Sequence, residues 1–137
     1  MFDTIDQKKR KIDKKRPLPK NTLKSLREKL LLEWTYNSNA IEGNTLTLSE
    51  TKVVLEDGIT IGGKTLKEHL EVVNHKEAIN YMEDIINKNE KLSERQIKNI
   101  HYLILKGIDD ENAGKYRNEK VVISGAEHIP PAPVFIH

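Results

Sequence analysis

Three times between Thr47 and Gln96 the chain places a hydroxyl side chain three positions ahead of Glu or Gln: Thr47 and Glu50, Thr65 and Glu68, Ser93 and Gln96. In such a capping box the hydroxyl accepts the backbone N–H three residues on, and the longer side chain reaches back to the cap's own N–H. Two donors orphaned at a helix start are thereby satisfied together. Each pair therefore predicts a helix, and the apolar spacing after each is helical. The first helix is short and ends near Gly58. The second carries Leu66, Leu70, Val73, Ile79, Met82 and Ile86 to about Lys88, and the third carries Ile97, Ile100, Leu103 and Ile104 to Gly107. "GITIGGKT" between the first two reads as a loop.

Upstream, Asn21 or Thr22 is a candidate cap for a helix whose stripe runs Leu23, Leu26, Leu30 and Trp34, spacings that predict a core face. Nothing breaks that helix before Gly43, so it is expected to reach Asn37 or beyond. Residues 1–19 precede it as an arm. Residues 1–20 hold a local charge balance of +5, whereas the whole chain carries only +2, so the basic character belongs to the arm. A solvated helical extension ending before Pro17 and Pro19 accounts for it. With no aromatic residues interleaved for base stacking, the arm does not argue for nucleic acid.

At the other end "KVVISGAEHIPPAPVFI" combines a β-branched run, a turn-like Ser124-Gly125 pair and clustered prolines. It predicts a strand or β-hairpin. An uncovered apolar strand is an edge liability in a finished protein, and the sequence stops in mid-apolar run, so the chain is expected to be a piece of something longer. The 137 residues suffice for one core or part of one. There is no cysteine, which removes disulfides, thiolate metal sites and cysteine nucleophiles. No apolar run has bilayer length and no secretory signal opens the chain; the expectation is a soluble, cytoplasmic, mainly α protein.

No phosphate-binding glycine loop, nucleophile elbow or kinase signature is present, and "IGGKT" lacks the first glycine of a phosphate loop. Of His69, His75, His101, His128 and His137, His75 has a carboxylate one turn away, Glu71, but no third ligand is apparent, and structural or surface roles are expected. "NSNAIEGNTLTLSET" is different. Ser38 and Glu42 share one helix face, and Gly43-Asn44 suits a left-handed helix stop. A carboxylate in the last turn sits at the negative end of the helix dipole, so Glu42 calls for an opposing cation that the local sequence does not supply.

Ser38-Asn39-Ala40-Ile41-Glu42-Gly43-Asn44 resembles the [ST]-x-x-x-E-[GN] inhibitory motif of Fic family protein adenylyltransferases, in the class whose inhibitory helix lies N-terminal to the Fic core. "TLTLSET", "GKTLKEHLEVVNHKEAINYM" and "AGKYRNEKVVISGAEHIPPAP" resemble the segments that follow it there, in the same order. The resemblance covers roughly residues 20 to 136. It implies the N-terminal part of a Fic-type helical bundle with a C-terminal β-hairpin flap: a basic arm over 1–19, then the inhibitory-helix region and partial Fic domain over 20–137.

It also implies transfer of AMP from ATP to a protein hydroxyl, with Mg2+. The motif that does this, H-x-x-x-[DE]-G-N-G-R-x-x-R, is absent from this sequence, so no catalytic residue, bound nucleotide or metal is expected here and the chain alone is expected to be inactive. By the same resemblance Glu42, aimed by Ser38, Gly43 and Asn44, would occupy the second arginine of that motif and keep it from the ATP γ-phosphate. Val122, Ile123, Ser124, Gly125 and His128 would form a flap that docks a target protein. An intact Fic protein, inhibited in trans through Glu42, and a second copy of the chain are further candidate partners; a membrane is not. The competing reading is a non-enzymatic helical module that binds a partner or nucleic acid through the basic arm or the β-edge.

Overall fold

A computed structural model describes residues 2–136, in which the elements are α1 (Asp3–Asp13), α2 (Lys20–Ile41), α3 (Leu48–Asp57), α4 (Leu66–Asn87), α5 (Glu94–Leu105) and a 3-10 turn over Pro133–Phe135. The chain divides into two units, one up to Leu31 and one from Leu32 onward. The first comprises α1, which buries no residue, and the first half of α2. Helix α2 begins at Lys20, ahead of the expected caps Asn21 and Thr22, and the Pro19 carbonyl takes the N–H of Leu23 at 3.0 Å.

In the second unit all three capping boxes form. The Thr47, Thr65 and Ser93 side chains accept from the N–H groups of Glu50, Glu68 and Gln96, and those residues reach back to the cap N–H groups. The centre is α4, on which both α3 and α5 pack. Residues two apart in an α-helix lie about 200° apart around its axis, and Val72 and Asn74 use that separation. Val72, fully buried, joins Leu46 and Val54 on the α3 side, with Leu55, Ile61 and Val73 packed against them. Asn74, 1% exposed, donates its amide to the carbonyls of Ile104 at 3.0 Å and Lys106 at 2.8 Å, closing the carbonyl end of α5.

Two expectations are corrected. Leu23, Leu26, Leu30 and Trp34 are not core: each is about half exposed. Helical spacing marks a face that prefers cover without naming the cover, and here α4 is the helix around which α3 and α5 assemble. The expected strand or hairpin is also not formed, since no strand exists among the described residues. Around Val121 to His128 the backbone is irregular and exposed, and only the turn is as expected, with the Ala126 N–H donating to the Ile123 carbonyl at 3.1 Å. A lone two-stranded ribbon is marginal in water, and Pro130, Pro131 and Pro133 offer no N–H to a ladder.

Candidate functional site

The C-terminus of α2 is stopped by a complete Schellman arrangement. Gly43 takes φ +95°, a left-handed value open to glycine, and its N–H donates to the Ala40 carbonyl at 3.1 Å, while the Asn44 N–H reaches back to the Asn39 carbonyl at 3.0 Å. Glu42 is thereby the residue on which the helix turns off. Its side chain is exposed and has no hydrogen bond or ion pair among the described residues, so the carboxylate demanded by no local contact is presented outward at the negative helix end.

The residue after the stop is held hard. Asn44 is 9% exposed; its amide donates to the Glu68 carbonyl and to the Glu71 carboxylate, both at 2.9 Å, and its Oδ1 accepts the Leu46 N–H at 3.0 Å. Every polar hydrogen of that side chain is used, and α2's end is joined to the first turns of α4. Thr45 extends the joint. Its N–H and hydroxyl both donate to Glu68 Oε1, at 3.0 and 2.5 Å, while Lys64 Nζ donates to the Thr45 carbonyl at 2.6 Å. Glu68, already the capping residue of α4, is held down to about 2 by the Thr45 hydroxyl first, then the Thr65 N–H, the Thr45 N–H and the Thr65 hydroxyl.

About two turns back along α2, Thr35 is fully buried with its hydroxyl 3.1 Å from His75 Nδ1, and the His75 ring meets Trp34 edge-on at 6.1 Å between centroids. Burial lowers the pKa of His75. Asn39, 9% exposed, donates to the Thr35 carbonyl at 2.9 Å. His69 is also structural: its Nδ1 lies 2.7 Å from the Thr65 carbonyl and its Nε2 accepts the Ile61 N–H at 2.9 Å, which fixes the ring as a neutral tautomer with the proton on Nδ1. His101 accepts the Gly114 N–H. His137 lies outside the described residues.

Ser38 is half-buried one turn before Glu42. Thus Ser38, Glu42, Gly43 and Asn44 converge at one helix end, whereas Val122, Ile123, Ser124, Gly125 and His128 lie together in the exposed segment near the other end of the sequence. Sequence reasoning missed Glu71, Lys64 and the second role of Glu68. Nothing in local spacing announces them, because each acts across the α2–α4 joint. It also missed Arg117, whose Nη1 and Nη2 donate to the carbonyls of Glu119 at 2.9 Å and Pro131 at 2.6 Å. Among the described residues no three His, Asp or Glu side chains gather where they could hold a metal ion. No helix among them is long and apolar enough to cross a membrane.

No protein-family model matches the chain. A protein adenylyltransferase Fic from Nematostella vectensis is 38% identical over 136 residues, covering 97% of this chain and 31% of the relative. Among solved structures, a Fic-domain-containing signaling protein from Bacteroides thetaiotaomicron superposes with a TM-score of 0.80 at 32% identity, over 88% of this chain and 46% of that one. Fic-1 from C. elegans superposes with a TM-score of 0.70 at 32% identity, over 80% of this chain and 34% of that one. The chain spans about a third of the length of the curated relative and under half of each solved chain. Sequence likeness along nearly the whole chain and a shared helical arrangement agree: the chain belongs to the Fic family.

Proposed function

We propose that this chain is the regulatory and target-docking part of a Fic protein adenylyltransferase, which moves AMP from ATP to a protein hydroxyl, and that Glu42 is its inhibitory residue. The observation that carries the reading is the contrast at the end of α2. Glu42 has no partner among the described residues, while its neighbours Asn39, Gly43 and Asn44 are all bonded in place. A fixed, outward carboxylate at a negative helix end is a receptor for a cation. The second arginine of the family's H-x-x-x-[DE]-G-N-G-R-x-x-R segment is the cation the resemblance supplies, and an arginine paired with Glu42 is withheld from the ATP γ-phosphate.

ATP and Mg2+ on this reading belong to that further segment, so the chain alone transfers no AMP. The exposed stretch through Val122, Ile123, Ser124, Gly125 and His128 serves the target. Its unpaired backbone groups offer hydrogen bonds to an extended segment, a mode in which main-chain pairing gives affinity irrespective of side-chain identity.

The test uses an extended form of the protein that includes the H-x-x-x-[DE]-G-N-G-R-x-x-R segment, with AMP incorporation from labelled ATP as the readout. Glu42→Gly is expected to raise transfer by about tenfold or more, the scale of a lost charge-assisted pair. Unchanged transfer would remove Glu42 from regulation.

A further inference from the structure

The exposed segment that takes the place of the expected hairpin is tied together without a ladder. Arg117 donates from Nη1 to the Glu119 carbonyl at 2.9 Å and from Nη2 to the Pro131 carbonyl at 2.6 Å. One planar guanidinium thus bonds both arms of the loop at once. Pro131, with no N–H, contributes the one backbone group it has.

The clasp stands on a fixed root. Ala113 is buried, the Gly114 N–H donates to His101 Nδ1 at 3.1 Å, and Lys98 Nζ lies 4.6 Å from the centre of the Tyr116 ring. Gly114 comes so close to α5 that a Cβ there would stand 3.1 Å from Tyr102 Cβ and 3.2 Å from the Lys98 carbonyl oxygen. At the far end Val122 is 83% and Ile123 55% exposed beside the turn closed by Ala126. Root, clasp and tip form one series in which Arg117 is the link that fixes how far apart the two arms run.

We infer that Arg117 is the positioning residue of the docking loop: by holding the Glu119 and Pro131 carbonyls on one guanidinium it sets the direction in which residues 121–125 meet an extended segment of the target. The inference rests on the docking role proposed above. A pre-formed loop loses less conformational freedom when the target binds than a free one does. Lysine cannot replace arginine here, because its donors radiate from a single nitrogen and do not match two carbonyls in a planar fork.

Arg117→Lys, which keeps the charge, and Arg117→Met, which removes it, test the clasp in the full chain. Trypsin cleavage at Lys120 is expected to become about tenfold faster in both, as when local charge-assisted bonds are lost, with helix content by circular dichroism unchanged. In the extended form the same variants are expected to raise KM for the target by about tenfold while KM for ATP and kcat stay as they were. Unaltered cleavage at Lys120 overturns the clasp. Faster cleavage with an unaltered target KM overturns the docking role instead, so the two failures are distinguishable.

Discussion

Asn44 shows how much one side chain can decide. Replacing it with alanine strips the Glu68 carbonyl, the Glu71 carboxylate and the Leu46 N–H of a partner at once, in a place only 9% exposed. Leaving buried groups unsatisfied costs about 2–3 kcal/mol in such cases, so Asn44→Ala is expected to lower the unfolding free energy of the full chain, measured by urea titration, by that amount. Glu68 gives a pH signature of the same joint. Its pKa is held down to about 2 against an ordinary value of 4.5, so the stabilisation it brings is complete above about pH 4.5 and is lost as the pH falls toward 2. Glu50, lowered mainly by the Thr47 N–H, acts with the same sign. Thermal unfolding followed from pH 5 to pH 2 is expected to show a smaller loss in Glu68→Gln than in the parent chain; equal losses would mean that the carboxylate does not carry the joint. At this scale the sequence was informative where partners are local. The Thr-x-x-Glu and Ser-x-x-Gln pairs and the Gly43-Asn44 stop are close-range chemistry. The links from Asn44 to Glu71, from Lys64 to Thr45 and from Arg117 to Pro131 join residues distant in sequence and leave no local trace.

Among the elements, α4 and the stretch after α5 carry the lessons. Apolar spacing identifies α4 as a helix but does not say which faces are buried: of the spaced residues Ile79 is buried while Leu66 and Ile86 are 72% and 70% exposed, and Val72, Ala78 and Ile85, outside that set, are buried too. The reason is that α4 has neighbours on more than one side, so a single stripe is the wrong description, and polar residues such as Asn74 and His69 occupy buried positions that a hydrophobic pattern ignores. The stretch after α5 begins at the close approach of Gly114, whose φ of +71° and short distances to α5 exclude a side chain. Gly114→Ala is expected to destabilise the chain by about 2 kcal/mol from positive-φ strain and overlap together. Equilibrium unfolding checks the value, and a neutral effect would show that the loop root is not packed on α5 as described. Beyond that root the β-branched run predicted a hairpin because local preference favours extended backbone. Pairing is a tertiary event, however, and the prolines together with the Arg117 clasp produce an irregular loop in its place.

For the molecule as a whole, the end of α2 at Glu42 and the exposed loop over residues 121–128 are the two features through which, on the proposed function, the chain meets its partners. Leu23, Leu26, Leu30 and Trp34 add a half-exposed apolar stripe along α2, which helical spacing alone places inside. The ordered resemblance along the sequence was legible and agrees with the family; the cation for Glu42 was legible only as a requirement, since electrostatics states what a carboxylate at a helix end needs and not where it is found. ATP affinity of the extended form, measured by titration calorimetry for the parent and for Glu42→Gln, bears most directly on the central claim. Glutamine keeps the size of the side chain and removes its charge, so an arginine released from Glu42 is expected to tighten ATP binding by about tenfold. Equal affinity in the two proteins would contradict the claim that Glu42 holds that arginine away from the nucleotide.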